Sequence, residues 1–332
     1  MGDSFSRKPE YGGFLPLELN NTGEMFGKHE PHVKRFNSVK AAFQYLTDNQ
    51  VVKEMYIPYY YCPSTIDAIV RMGIKVHFYH IGNDLLPADV EDKEGIAFMP
   101  VNYFGVRTEE INLLAKKFRN AVVLIDRAHA FFDEPVFGDR VYNVYSAKKF
   151  FGIPDGAYLV GKDIQESKKT FSLSSEYSGY LLTTYEEGTN KTYQMKKQSD
   201  RYIEEHYDGM SSLAYGLLCN VDYQRVKDVR AKNYATLHGM LKEKNALSLP
   251  DECAAYHYPM YIPKTGRILK KRLVEQKIYV PTLWNGRDLL KDGNGFELGM
   301  MEDALFLPVD QRYTLWDMEY IGKEVLKFLT VI

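Results

Sequence analysis

Apolar positions recur with a helical period early in the chain and with a strand period directly after it. The spacing in 38–49 (SVKAAFQYLTDN) predicts a helix, and the run over 55–62 (MYIPYYYC) predicts a strand that turns at Pro63. A second helix is predicted over 64–72, with Gly73 ending it. Helix and strand patterns therefore alternate from residue 38 onward.

The alternation continues as far as residue 126. The segment 74–81 (IKVHFYHI) is strand-like, 95–105 (GIAFMPVNYFG) is another apolar run, 109–120 (EEINLLAKKFRN) has the spacing of an amphipathic helix, and 121–126 (AVVLID) is a short apolar strand. Strands and helices in this order favour right-handed crossovers and a largely parallel sheet covered on both faces. We predict an α/β fold with its ligand at the carboxyl ends of the strands, where Asp126 lies.

The pattern changes after Gly161. Residues 163–208 are polar and predict helices and connecting loops. The later segments predict alternating helices and strands: a long helical pattern that starts at Met210 and runs through 221–244, a strand over 257–263, a helix over 266–276, a strand over 278–284 and a final helix over 317–329. We therefore expect an N-terminal arm over 1–30, a large domain over 31–208 and a smaller α+β domain over 209–332.

Composition and charge agree with a globular protein that has a sizeable core. The chain has 332 residues, 45% hydrophobic and 26% charged, with a formal net charge of −2, which gives no reason to expect a nucleic-acid partner. No apolar run approaches the roughly 20 residues of a membrane span, so no membrane partner is expected. Cys62, Cys219 and Cys253 lack CxxC spacing, which fits a reducing cytoplasm.

Several common catalytic motifs are absent from the sequence. It contains no GxxxxGK[ST] phosphate loop, no GxGxxG after the early strands and no GxSxG elbow. The two histidines of HFYH, His77 and His80, fall on opposite faces of the predicted strand, so we interpret them as structural residues and predict no metal site.

Three other features fit the needs of pyridoxal phosphate when taken together. Asn37 and Ser38 stand at a helix start, Asp126 ends a strand in LIDRAHAF, and a lysine follows in YSAKKFFGIPDG. The cofactor requires an amine for covalent attachment, a carboxylate that keeps its pyridine nitrogen protonated, and donors at a helix start for its phosphate.

These segments resemble the DegT/DnrJ/EryC1/StrS family of fold-type I, pyridoxal phosphate-dependent sugar aminotransferases. The likeness covers most of the chain and is carried by IPYYYCPSTIDAIVRMGIKVHFYHI, PVNYFG, LIDRAHAF, YSAKKFFGIPDGAYL and RAKNYATL. It implies an aspartate aminotransferase-like fold, with a mostly parallel sheet in the large domain, and pyridoxal 5'-phosphate as the cofactor.

The resemblance also implies a role for each matching residue. Asp126 would pair with the pyridine nitrogen, and His129 would lie near the phenolic oxygen of the ring. Ser146, Asn37 and Ser38 would contact the phosphate.

Two adjacent residues are candidates for covering the ring face. Alignment by distance to Gly73 selects Cys62, whereas an aromatic side chain suits stacking better and favours Tyr61.

The spacing to Gly156 distinguishes the roles of the two adjacent lysines. The family's lysine-to-glycine spacing selects Lys149 as the cofactor lysine and proton shuttle, and leaves Lys148 as a solvated or phosphate-facing cation. Phe150 and Phe151 are expected to pack beneath the site and to lower the pKa of the amine.

The chain departs from the family pattern at two places. Val39 stands where a glycine commonly follows the serine of the helix start, and HYDGMSS retains only Met210 of the motif Gly-x-Asn-x-Arg-Met. Asn190 or Lys191 could replace the missing contacts from a partner chain, and Arg312 could hold a donor carboxylate. Arg230 and Asn233 match family positions, but fit an exposed helix face equally well.

The resemblance implies amino transfer from glutamate to a keto sugar, carried by a nucleotide, in surface polysaccharide synthesis by a homodimer. The alternatives are another pyridoxal phosphate reaction, such as dehydration, or a non-catalytic regulatory or structural relative. Dehydrating members of the family have a histidine in place of the lysine, so Lys149 argues against dehydration.

Overall fold

The computed structural model describes residues 11–162, 164, 172–284 and 292–330. Its main element is a seven-stranded sheet with the strand order β1-β7-β6-β5-β4-β2-β3. The strands are β1 (Val33–Phe36), β2 (Glu54–Pro58), β3 (Lys75–Tyr79), β4 (Ala97–Phe98), β5 (Val123–Arg127), β6 (Val141–Ser146) and β7 (Ala157–Gly161). Strands β2 to β6 run parallel, and β7 is antiparallel to both β1 and β6. The predicted α/β fold with a mostly parallel sheet is confirmed.

Helices surround this sheet and form most of the C-terminal part. Those associated with the first 205 residues are α1 (Val39–Asp48), α2 (Pro63–Arg71), α3 (Thr108–Lys117), α4 (Gly179–Glu187) and α5 (Thr189–Glu205). The remaining ones are α6 (Ser212–Leu218), α7 (Tyr223–Leu241), α8 (Gly266–Glu275), α9 (Gly295–Asp303) and α10 (Leu315–Leu329). Strands β8 (His257–Tyr261) and β9 (Ala304–Pro308) pair antiparallel in a second, two-stranded sheet.

The sequence pattern located several of these elements to within a few residues. Ser38 caps α1 through its side chain, which accepts a hydrogen bond from Ala41 N, and Pro63 is the first residue of α2. The predicted strand over 278–284 is wrong, because this stretch is irregular in the structure. Ile278 and Val280 are buried there without a strand partner, whereas Tyr279 is exposed.

Strands β6 and β7 were not recognised from the pattern. Every residue of both strands is buried, and both are interior strands of the sheet: β6 lies between β5 and β7, and β7 lies between β1 and β6. Strands covered on both faces lose the alternation that marks a half-exposed strand. No helix within the described residues is long and apolar enough to cross a membrane.

Glu297 joins the C-terminal part to the edge of the main sheet. Its fully buried carboxylate accepts hydrogen bonds from Ile81 N at 2.9 Å and Asn294 N at 2.8 Å, and lies 3.0 Å from Nδ1 of His80. The other histidine of HFYH, His77, pairs with Glu54.

We expect Glu297→Ala to lower the free energy of unfolding by about 3 kcal/mol, because two backbone donors lose their buried acceptor. Urea denaturation measures this change. The control is Glu319→Ala, which removes an exposed ion pair with Lys323 and should change stability by less than about 0.5 kcal/mol. Equal destabilisation by both variants would contradict a linking role for Glu297.

Candidate active site

A cavity of about 260 Å³ opens at the carboxyl ends of the parallel strands. Asp126 lies near the end of β5, Ser146 ends β6, and Tyr61 follows β2. Parallel strands bring these ends to one edge of the sheet, so residues far apart in sequence meet there. The cavity is lined by all eight residues singled out from the sequence: Asn37, Ser38, Tyr61, Cys62, Asp126, His129, Ser146 and Lys149.

Lys149 ends a short 3-10 turn, Ala147–Lys149, that follows β6 directly. Its Nζ lies 2.8 Å from Nε2 of His129. Burial lowers the pKa of Lys149, while the nearby Asp126 and Cys62 oppose that shift. The deprotonated amine is therefore more accessible near neutral pH than in an exposed lysine.

Phe150 and Phe151 directly follow Lys149 in the chain. Both are buried in one aromatic cluster with Phe131, which contacts the two rings at centroid distances of 5.7 and 5.0 Å. The phenylalanine pair is therefore buried directly after the lysine in the chain, and burial is the first cause of the lowered pKa of the amine.

His129 is held between aromatic rings. Its imidazole stacks on Tyr256 at 4.6 Å, Phe104 at 5.5 Å and Trp284 at 5.7 Å, with interplanar angles of 24°, 23° and 11°. Burial, followed by the charge of Lys149, places the pKa of His129 well below its ordinary value. The ring is therefore neutral, and its Nε2 can accept a hydrogen bond from the lysine. Its buried Nδ1 has no hydrogen-bond partner among the described residues.

Asp126 is fixed by two hydrogen bonds. Its Oδ1 accepts from Ala128 N at 2.7 Å, and its Oδ2 accepts from the hydroxyl of Tyr61. Burial and the adjacent carboxylate raise the pKa of Tyr61 well above its ordinary value, so the phenol remains a donor. The result is a buried carboxylate held in one orientation at the cavity wall.

Tyr61 and Cys62 both line the cavity, so the geometry leaves both as candidates for a ring face. Cys62 immediately precedes α2 without making a side-chain capping hydrogen bond, and its Sγ lies 3.4 Å from Oγ of Ser64. Trp284 is a third candidate, which the sequence reading missed because it placed this residue in a strand. The Trp284 ring lies 5.9 Å from that of Tyr61 and nearly parallel to His129.

One end of the cavity is rich in hydrogen-bond donors. It includes the start of α1, whose first backbone N–H groups have no acceptors inside the helix. Asn37 is buried there, with Nδ2 donating to His206 O at 2.6 Å and Oδ1 accepting from Ser38 Oγ at 3.1 Å. Val39 adds no donor from its side chain, but it leaves the backbone donors of the helix start in place.

Three charged residues at this end were missed, Lys40, Asp200 and Glu204, whereas the sequence had already suggested Lys148 as a solvated or phosphate-facing cation. Lys40 and Lys148 line the cavity and pair with Glu204 and Asp200, which lie on α5. Asp200 and Glu204 were missed because α5 belongs to the polar segment 163–208, whose composition gives no sign that one face of this helix meets the sheet edge.

Other residues considered from the sequence lie outside the cavity lining. Arg312 is held by Asp310, to which its guanidinium donates at 2.7 and 2.9 Å. Asn190 and Lys191 are exposed at the start of α5.

Arg230 and Asn233 do not form the exposed helix face that was one interpretation of their sequence. Both are buried on α7. Arg230 donates to Ala255 O at 3.0 Å and stacks 4.6 Å from the centre of the Phe150 ring. Asn233 donates to the carbonyls of the segment 309–313. They join α7 to the loops beside the site.

No protein-family model and no curated protein sequence matches the chain. Solved structures do match. A GDP-4-keto-6-deoxy-D-mannose-3-dehydratase of E. coli with bound hydrated PLP aligns with a TM-score of 0.59 and 16% identity, over 88% of this chain and 87% of that one. A sugar aminotransferase of Micromonospora echinospora aligns with a TM-score of 0.59 and 15% identity, over 89% and 87%.

A DegT DnrJ EryC1 StrS aminotransferase of Brucella abortus aligns with a TM-score of 0.60 and 14% identity, over 90% of this chain and 86% of that one. The likeness extends over most of the chain in all three cases. The predicted aspartate aminotransferase-like fold of type I is therefore confirmed, and the family resemblance drawn from the motifs agrees with it.

Proposed function

We propose that this protein is a pyridoxal phosphate-dependent aminotransferase that moves an amino group from glutamate to a keto sugar carried by a nucleotide. The observation that carries the proposal is the meeting of Lys149, His129 and Asp126 in one cavity at the strand ends. The fold is shared with structures described as sugar aminotransferases, which supports the same assignment.

The residues around the cavity fit the chemical groups of pyridoxal phosphate. Lys149 offers a buried amine of lowered pKa for the aldehyde carbon. Asp126 offers a fixed carboxylate for the ring nitrogen. The start of α1 offers backbone donors for the phosphate, and the buried Nδ1 of His129 is free to contact a polar group of the ring. Tyr61 supplies aromatic surface for the ring.

When bound, the cofactor supplies an electron-accepting ring that stabilises a carbanion at the substrate carbon. The protein controls the proton that leaves that carbon. Lys149 accepts and returns this proton, because its amine is held in the cavity and is deprotonated more readily than an exposed lysine. His129 stays neutral and fixes the position of the lysine Nζ through their contact at 2.8 Å.

The proposal extends to the setting of the reaction. We place it in surface polysaccharide synthesis, in the cytoplasm, and in a homodimer whose second chain completes the sugar site. The arm over 1–30, the large domain over 31–208 and the smaller domain over 209–332 are the proposed units. The family resemblance supports these assignments.

A relative without catalysis is the second candidate. Val39 and the segment HYDGMSS favour it, since they remove the family's usual contacts near the phosphate and from the partner chain. In the structure this segment contacts Asn37, whose backbone N–H donates a hydrogen bond to Asp208 O at 2.9 Å. Such a protein would bind the cofactor but would not exchange an amino group with glutamate.

The half reaction with glutamate separates these candidates. We expect purified protein mixed with pyridoxal phosphate to develop the visible absorbance of covalently bound cofactor. Adding glutamate should bleach this band and release 2-oxoglutarate in a ratio of about one per site. An absorbance band that does not change when glutamate is added would favour another donor, another reaction or the non-catalytic relative. The absence of a band would refute the cofactor assignment.

A further inference from the structure

Two lysines and two carboxylates meet at the donor-rich end of the cavity. Lys40 Nζ lies 2.7 Å from Oε1 of Glu204 and 3.1 Å from Oγ of Ser64. Lys148 Nζ lies 2.7 Å from Oδ1 of Asp200. All five residues line the cavity together with Ser38 and Ser146, next to the start of α1.

We infer that Lys40 and Lys148 are ligands for a phosphate monoester, and that Asp200 and Glu204 are internal counter-ions which this phosphate displaces. The inference rests on the proposed function for the identity of the ligand, because the phosphate is that of the cofactor. Lys40, Lys148 and the start of α1 then form a site for a doubly charged anion. Before phosphate binds, this site is occupied by the two carboxylates that α5 carries.

The exposure of the four side chains supports this division into fixed and displaceable groups. The lysine side chains are 9% and 17% exposed, so they are held in the cavity wall. The carboxylate side chains of Glu204 and Asp200 are 48% and 44% exposed, so each can turn into solvent. Burial lowers the pKa of Lys148, and the loss of a nearby anion without replacement would leave a desolvated cation.

The charges at this end favour a doubly charged anion. Lys40, Lys148 and Lys196 carry three positive charges, and Lys196 Nζ lies 2.6 Å from both carboxylate oxygens of Asp200. Asp200 and Glu204 together carry two negative charges, which is close to the charge of a phosphate monoester at neutral pH. Phosphate can therefore replace the two carboxylates without changing the charge balance.

Val39 at the start of α1 is a departure from the family pattern. The Val39 side chain cannot donate to phosphate, and its Cβ restricts the backbone at the helix start. Lys40, one residue further along α1, and Lys148, beside the cofactor lysine, supply charged donors in the same place. This arrangement would compensate for the weaker helix-start contact.

The test compares pyridoxal phosphate, pyridoxal and inorganic phosphate as probes of the full-length protein. Kd values for the two aldehydes come from absorbance titration, and those for phosphate from calorimetry. Lys40→Met and Lys148→Met should each weaken pyridoxal phosphate and inorganic phosphate by roughly tenfold, the effect of one charge-assisted contact, and leave pyridoxal unchanged. The double variant Asp200→Asn with Glu204→Gln should strengthen both phosphate-bearing probes by roughly tenfold.

The matched controls lie on α5, the helix that carries Asp200 and Glu204. Glu205→Gln and Lys197→Met change the same charges at exposed positions, and they should alter no probe by more than about twofold at 0.15 M salt. Circular dichroism of each variant checks that the fold is retained.

Weaker or unchanged phosphate binding in the Asp200 and Glu204 double variant would overturn the inference, since the carboxylates would then orient the lysines rather than compete with the ligand. Equal losses for pyridoxal and its phosphate in the lysine variants would also overturn it. If pyridoxal phosphate bound the wild-type protein but did not attach covalently, and the charge variants behaved as expected, the aminotransferase proposal would fail and the anion site would stand.

Discussion

Replacing Lys149 by alanine should abolish covalent attachment of pyridoxal phosphate and lower the rate of the glutamate half reaction by about 10⁴-fold, the upper end of what one positioned proton-transfer group contributes. The residue has two tasks in the proposed reaction: it binds the aldehyde carbon, and it carries the proton at the substrate carbon. No other amine is placed against His129 among the described residues, so no neighbouring side chain can assume both tasks.

The lowered pKa of Lys149 gives this prediction a pH signature. An ordinary lysine has a pKa of about 10.4, and burial moves the value for Lys149 downward. The fraction of deprotonated amine therefore rises at lower pH than for an exposed lysine. The rate of covalent attachment in the wild-type protein should increase with pH and level off at a lower pH than attachment to an exposed lysine does.

Lys148→Ala is the control variant for Lys149→Ala. Its amine pairs with Asp200 instead of His129, so the visible band should form at saturating cofactor, although a higher concentration is needed. Borohydride reduction followed by peptide mass spectrometry identifies the modified lysine directly. Modification of Lys148 in the wild-type protein would contradict the assignment of Lys149.

The choice between these lysines shows how far sequence reasoning reaches in the site. Spacing to Gly156 selected Lys149, and the structure separates the pair by their partners: His129 for one and Asp200 for the other. Those partners lie 20 and 52 residues away in sequence, so the pattern around the lysines contains no information about them. The choice of Lys149 therefore came from the family's lysine-to-glycine spacing, and the residues next to the two lysines could not have supplied it.

Other parts of the site depend on long-range packing in the same way. The cavity wall receives Trp284 from a segment that reads as an apolar strand, and Asp200 and Glu204 from a helix that reads as a polar connector. Ile278 and Val280 are buried in the core without joining a sheet. Burial alone therefore produces an apolar run, whereas a strand also requires an available edge with which to pair.

The sequence predicted the elements of the fold more completely than it predicted the residues of the site. Helix α1 has both an end signal, the Ser38 cap, and a one-sided apolar face, so two independent features agree. The fully buried strands β6 and β7 have neither alternation nor a distinctive end, and only the neighbouring strands define them. Alternation detects elements with one solvent-facing side; the fully buried β5 was instead predicted from its uninterrupted apolar run.

Replacing Asp126 by asparagine should lower the rate of the glutamate half reaction by about 10²–10³-fold, as expected when one preorganised electrostatic contact to the reacting system is lost. The carboxylate is buried at the strand end, and Ala128 N and Tyr61 hold its two oxygens. Asparagine keeps the shape and can still accept from Ala128 N, but it has no charge to hold a proton on the ring nitrogen. The visible band should therefore remain while the response to glutamate is slowed.

N-methylpyridoxal phosphate distinguishes this electrostatic role from a structural one. Its ring nitrogen is permanently cationic, so it needs no carboxylate to hold a proton there. We expect it to restore activity to Asp126→Asn to within about tenfold of the wild-type protein, since the missing charge contact is needed to keep the proton in place. Tyr61→Phe serves as the comparison, because it removes one hydrogen bond to Asp126 and keeps the charge, and its smaller loss should not be rescued. If the methylated cofactor rescued neither variant, Asp126 would be a support for the strand end, and the carboxylate would have no contact with the ring nitrogen.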